Sequence, residues 1–223
     1  MKMKLFIEAI LKFLLGIIII GLLLFIPAGS IKYWNAWLLM ILLFVPMFIA
    51  GIIMLIKSPD LLKSRLNAKE KEGKQKQVVL FSGLMFIFGF IIAGLNYRFN
   101  WIILPNIVII ISSIIFVIYY ILYAEVLREN IFLSRTIEVK NNQKVIDTGL
   151  YSLVRHPMYF STISLFLSIP LILGSSISFF IFLAYPFIIV KRIKNEEEVL
   201  EKELVGYKEY KQKVKYKLIP FIW

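Results

Sequence analysis

The sequence predicts an all-α integral membrane protein, a bundle of five to six transmembrane helices whose last two form a short hairpin, with a cytoplasmic helix at the C-terminal end. Three observations carry this. The 223 residues are 60% hydrophobic with a mean hydropathy of +0.81, more apolar surface than a soluble domain of this length buries, so much of it must face lipid. Six apolar runs follow one another, at 5–26, 34–56, 78–95, 101–123, 158–173 and 177–190. Lysine and arginine then fall almost entirely in alternate loops.

The first four runs reach or approach the ~20 residues that cross ~30 Å of hydrocarbon. The N-terminal run, 5–26, ends near Ala28-Gly29-Ser30 and so resembles a secretory signal. Its 22 residues exceed the about 7–15 of a signal core, so it is read as a retained first span. The run 158–173 covers only about 24 Å at ~1.5 Å per residue. With Pro170 and Pro186 inside them, the last two runs read as a tight hairpin of short or kinked helices around Gly174-Ser175-Ser176.

Charge sets the expected orientation. Two Lys precede the first run, seven Lys/Arg lie in 57–77, five in 124–157 and nine in 191–223, which is 23 of 26. The opposite connections hold only Lys32 and Arg98, beside Trp34 and Trp101 as interfacial anchors. The positive-inside rule therefore makes both termini, 57–77 and 124–157 cytoplasmic. A formal charge of +12 on a soluble chain would suggest nucleic acid; placed this way it implies contact with membrane lipid and no nucleic-acid partner. With no cysteine and one histidine, disulfides, thiolate chemistry and a Cys- or His-ligated metal site are not expected.

In the 57–77 loop, Ser58 can cap a short helix, Pro59 suits its first turn and Asp60 complements its dipole. Leu61, Leu62 and Leu66 make a narrow apolar stripe on the membrane surface, and 69–77 reads as a solvated connection. Thr136–Lys140 and Lys144–Asp147 alternate apolar and charged residues around Asn141-Asn142, which predicts a small β-hairpin.

Two motifs carry chemistry. In Arg155-His156-Pro157-Met158-Tyr159, Pro157 disfavours helix at His156 and opens the next helix, whose first N–H groups are free to bind a carboxylate or hydroxyl. Arg192, Glu196 and Glu197 directly follow an apolar run ending at Val190, and ionisable groups at that depth are usually functional. The remaining charges of 194–203 read as an exposed helix laced with ion pairs.

Together, "TGLYSLVRHPMY", a short apolar hairpin and "RIKNEEEVLEKELVGYKEYKQKVKYKLIPFIW" resemble the isoprenylcysteine carboxyl methyltransferase family, small prokaryotic type, with related patterns in phospholipid N-methyltransferases. "SPDLLKSR" and "LRENIFLSRTIEV" extend the resemblance over roughly 57–223. Leu150 departs from it, since relatives often have proline there. The resemblance implies an S-adenosylmethionine-dependent methyltransferase with a lipophilic or lipidated acceptor. It implies that His156, Tyr159 and Glu197 contact the cofactor, that Tyr151, Leu153, Val154 and Arg155 belong to its pocket, and that Arg192 and Glu196 are catalytic, facing the acceptor. The domain reading is then an N-terminal hairpin (1–56), an amphipathic loop (57–77) and a methyltransferase core (78–223) in one domain.

The residue chemistry agrees, because methyl transfer from a sulfonium needs alignment more than acid–base power. A carboxylate acceptor would be oriented by Arg192; an amine would need Glu196 or His156 as base. The alternatives are a phospholipid N-methyltransferase, an NADPH-dependent reductase of the sterol-reductase type, which lacks an obvious glycine-rich phosphate loop here, and a transporter, which would place polar groups nearer mid-bilayer.

Overall fold

The computed structural model describes residues 2–67 and 73–223. Among the described residues there are nine α-helices and one 3₁₀ turn, and no β-strand. Five segments are long and apolar enough to cross a membrane: Met3–Ala28, Trp34–Lys57, Gln75–Phe99, Asn106–Glu129 and Ser176–Glu203. They present side chains such as Ile18, Phe88, Ile121 and Phe187 outward, as an integral membrane bundle requires.

Helices α1 (Lys2–Ala28) and α2 (Trp34–Lys57) form an antiparallel pair, and α1 also packs along α4 (Gly73–Phe99). Their approach is close at Gly94, where a Cβ would stand 2.7 Å from the Leu24 carbonyl. Between α2 and α4, α3 (Pro59–Leu66) has Pro59 in its first turn and buries Leu61 and Leu62. Ser58 occupies the N-cap position, but its side chain makes no capping hydrogen bond. The expected solvated connection at 69–77 lies partly outside the described residues. Its described end belongs to α4, and there Gln75 is fully buried.

Helix α5 (Asn106–Glu129) starts five residues later than the apolar run, because Pro105 holds the preceding chain extended. It packs on α6 (Pro157–Ile172), the 16-residue span that was expected to be short. Carbonyls at the end of α6 would be orphaned in apolar surroundings. A polar knot receives them: Tyr33 donates to Leu173 O (2.6 Å), Asn35 to Ile172 O (2.9 Å) and Asn96 to Gly174 O (3.4 Å).

After Gly174, α7 (Ser176–Phe182) is capped by Ser175 and is followed by α8 (Ala184–Glu203). The hairpin expectation is refined here. Pro186 falls in the first turn of α8, where its missing N–H is cost-free, so α8 runs unbroken from apolar Phe187 to charged Glu203. The charged helix is the far end of a span, and only α9 (Tyr207–Lys213) stands apart, across a turn at Gly206 (φ +85°).

The predicted β-hairpin does not form. Asn142 (φ +59°) makes the turn and Gln143 N–H donates to Lys140 O, but the arms find other partners. Val139 and Val145 pack against Leu204, Tyr207, Tyr210 and Val214, Lys140 donates to the Ser64 hydroxyl (2.6 Å), and Lys213 donates to Asp147 (2.7 Å). Residues 130–148 are therefore a strap laid across one end of the bundle.

Candidate active site

The site begins where α5 ends. Glu129 accepts from the Leu150 N–H at 3.0 and 3.2 Å through its two carboxylate oxygens. Gly149 (φ +54°) makes room for it, since a Cβ there would overlap that carboxylate. A proline at position 150 would have no N–H to donate to this carboxylate. The 3₁₀ turn Gly149–Ser152 follows, with Tyr151 buried and its hydroxyl accepting from Asn130 (3.2 Å). Val154 is buried, whereas Leu153 is 58% exposed, and neither lines the cavity described below.

Arg155 and His156 are fixed by the C-terminal segment: their N–H groups donate to Tyr216 O and Lys217 O, each at 2.9 Å. Pro157 then starts α6 as expected, and no side chain caps that helix. Instead of approaching its backbone, the buried Glu197 carboxylate meets side chains. Its Oε1 accepts from Arg155 Nε (2.8 Å) and lies 3.2 Å from His156 Nε2, while Oε2 lies 3.3 Å from Lys217 Nζ and 3.9 Å from Lys211 Nζ. Arg155 also donates to Val214 O and Lys215 O. Glu197 is thus the hub of a clamp joining α6, α8 and the C-terminal segment. It does not line the cavity, in contrast to the expected pocket position.

Its neighbour does. Successive residues on a helix point about 100° apart, so Glu196 takes the face toward α6. The Tyr159 hydroxyl donates to Glu196 Oε2 (2.5 Å) and accepts from Arg192 Nε (2.9 Å). The Arg192 guanidinium lies 6.0 Å over the Tyr159 ring and donates to Arg135 O (2.7 Å). Gln75 Oε1 accepts from it at 3.4 Å. The sequence reading missed Gln75, because a lone polar residue just ahead of an apolar run reads as solvated, whereas here it is fully buried.

A cavity of about 90 Å³ lies between the strap and α8–α9. Tyr151, Arg155, His156, Tyr159 and Glu196 line it from the bundle side, Ser134, Thr136 and Glu138 from the strap, and Tyr207 and Tyr210 from α9. The buried Tyr207 hydroxyl has no hydrogen-bond partner among the described residues. Burial pushes its pKa above the ordinary phenol range, so it keeps its proton and presents an unused donor beside the cavity.

Helices long and apolar enough to cross a membrane, with a polar, aromatic-walled pocket beside the start of α6 and the charged end of α8, define an integral membrane bundle with a candidate site at one end. Residues 107–202 match the model of the isoprenylcysteine carboxyl methyltransferase (ICMT) family, so this segment is similar to that family. The matched segment holds every site residue nominated from sequence and leaves out α1–α3, Gln75 and α9. No curated protein matches the chain.

Proposed function

We propose that the protein is an S-adenosylmethionine-dependent methyltransferase that modifies a lipophilic acceptor at the membrane surface. The observation that carries this is the Arg192–Tyr159–Glu196 hydrogen-bonded chain at the edge of a tyrosine-lined cavity, inside the segment matched to the family. By the distribution of lysine and arginine, that end of the bundle and both termini face the cytoplasm.

The lining suits the cofactor. Tyr207 offers its unused hydroxyl, Glu138 supplies an acceptor for amino or ribose hydroxyl groups, and the faces of Tyr151, Tyr159 and Tyr210 suit a cation. His156 and Arg155 complete the wall, oriented by Glu197. When bound, the cofactor supplies a methyl group made electrophilic by its sulfonium. Arg192 and Glu196 are placed on the acceptor side, fixed to each other through Tyr159 so that the attacking group is held in line. The cavity is smaller than the ~300 Å³ at which small-molecule sites begin, so the strap must lift to admit the cofactor.

The test uses the full chain in detergent with tritiated-methyl S-adenosylmethionine and a panel of prenylcysteine, fatty-acid and phospholipid acceptors. Saturable cofactor binding and transfer of label into the organic phase are expected. A protein that neither binds the cofactor nor transfers label overturns the reading.

A further inference from the structure

The segment that holds the Arg155 and His156 N–H groups continues into a turn with its apolar side outward. Trp223 O accepts from the N–H groups of Lys217, Leu218 and Ile219 at 2.9, 2.9 and 3.1 Å, and the Ile222 and Trp223 N–H groups donate to Ile219 O at 3.2 and 3.1 Å. This ring of hydrogen bonds fixes the shape of 217–223. Leu218 joins the apolar core that contains Tyr159 and Ile193, and Trp223 packs against that core. Phe221 and Ile222 are left 87% and 76% exposed, with Ile219 exposed beside them. Phe221 holds φ +65°, a region that a residue other than glycine enters at a steric cost.

Depth identifies what covers these side chains. Lys217 O accepts from the N–H of His156, the residue just before Pro157 starts α6. The 16 residues of α6 cover only about 24 Å, less than the ~30 Å of a hydrocarbon layer. The first turn of α6 therefore sits at or inside the edge of that layer, and the turn beside it sits at the same level. Tyr216, whose ring centroid lies 5.3 Å from that of Phe221, and Trp223 are aromatics of the kind that occupy this boundary. Lys215 is exposed and Lys217 partly so, and a lysine stem can lie along apolar surface while its head reaches lipid phosphate. Apolar tips, aromatic flanks and cationic heads together complement a headgroup layer and the acyl chains beneath it.

We propose that the 216–222 turn is an interfacial foot whose partner is the phospholipid layer at this end of the bundle, and that its seating there keeps the Glu197 clamp closed. The link is short. Tyr216 O and Lys217 O receive the Arg155 and His156 N–H groups, and Lys217 Nζ lies 3.3 Å from Glu197 Oε2 and 5.1 Å from the Trp223 ring centroid. Arg155 also donates to Val214 O and Lys215 O, just ahead of the foot. A foot lifted out of the lipid carries all of these groups with it and loosens the two side chains that Glu197 orients. The foot lies outside the segment matched to the family, and it does not rest on the methyltransferase reading.

The chain has no cysteine, so a single introduced one carries a unique label. Ile222→Cys and Val205→Cys are each labelled with a nitrobenzoxadiazole fluorophore in the full-length protein, in phosphatidylcholine nanodiscs holding one copy. Val205 is the aqueous reference, because it is exposed and lies past the end of α8, roughly 20 Å beyond Val190. The label at 222 is expected to be quenched by lipids brominated on their acyl chains and to resist iodide about threefold better than the label at 205. Phe221→Gly removes the ring yet suits φ +65°, so any loss it causes is not one of backbone strain. It should raise iodide quenching at 222 and speed amide exchange across 153–158 by roughly 3–10-fold, with α4 and α5 unchanged. Phe221→Leu, still apolar, should keep exchange near that of wild type. Equal iodide access at 222 and 205 overturns the foot, and exchange in Phe221→Gly equal to wild type overturns its hold on the clamp. A label at 222 shielded only in discs holding two copies makes the patch a self-association face and also overturns the proposal. No cofactor enters these measurements, so a protein that fails to transfer methyl groups can still show the foot, and the reverse.

Discussion

Gln75 and Arg192, 117 positions apart in sequence, hold each other by two hydrogen bonds: Gln75 Oε1 accepts from the guanidinium and Gln75 Nε2 donates to the Arg192 carbonyl (3.5 Å). The fully buried amide ties the first turn of α4 to the point where α8 leaves the apolar layer. Gln75→Ala is expected to lower thermal stability by about 1 kcal/mol and turnover by roughly 3–10-fold, with cofactor affinity unchanged. A turnover equal to wild type would remove the positioning role.

Tyr159 is the only described bridge between Arg192 and Glu196. Tyr159→Phe keeps the ring and deletes both hydrogen bonds, each to a charged partner and worth roughly 1.5–3 kcal/mol. The expected result is a 10–100-fold fall in the rate of methyl transfer at saturating cofactor, read by label incorporation below the melting temperature of the variant.

The Arg155–Glu197 pair is buried on both sides, with side-chain exposures of 4% and 6%. Removing either charge strands the other, at a cost of about 3–5 kcal/mol. Glu197→Gln should therefore unfold at markedly lower temperature, and a double-mutant cycle with Arg155→Met should show strong coupling. A loss no larger than that of an exposed substitution such as Glu198→Gln contradicts the clamp.

At the turn, Leu150→Pro removes the donor that Glu129 uses at both oxygens. A destabilisation of roughly 1–2 kcal/mol is expected, read as a shift in the thermal midpoint. In a Glu129→Gln background the same change should cost less, because an amide carbonyl loses less than a carboxylate does.

The spans, the short α6 and the meeting of the Arg155–Tyr159 motif with Arg192–Glu197 were all legible in the sequence. Hydropathy reports length directly, and an ionisable group at the end of an apolar run carries its own cost. The choice between Glu196 and Glu197 was not legible. Adjacent helical positions differ by about 100°, and only the tertiary placement of α6 assigns one to Tyr159 and the other to Arg155. The strap misled for a related reason. Its alternation arises from Val139 and Val145 packing on α9 and its surroundings, not from a ladder, and period two does not distinguish the two. Gln75 left little trace, because a single polar residue beside a span reads as solvated until its partner, 117 positions away, is known.

An uninterrupted α8 puts its lipid-embedded beginning and its carboxylate-bearing end on one stiff strut. Any change of tilt imposed by the hydrocarbon layer swings Arg192 and Glu196 together relative to the α5–α6 wall. Bilayer thickness thereby becomes a control variable, and reconstitution in phosphatidylcholines of graded chain length should give a rate that peaks at one thickness and falls on either side.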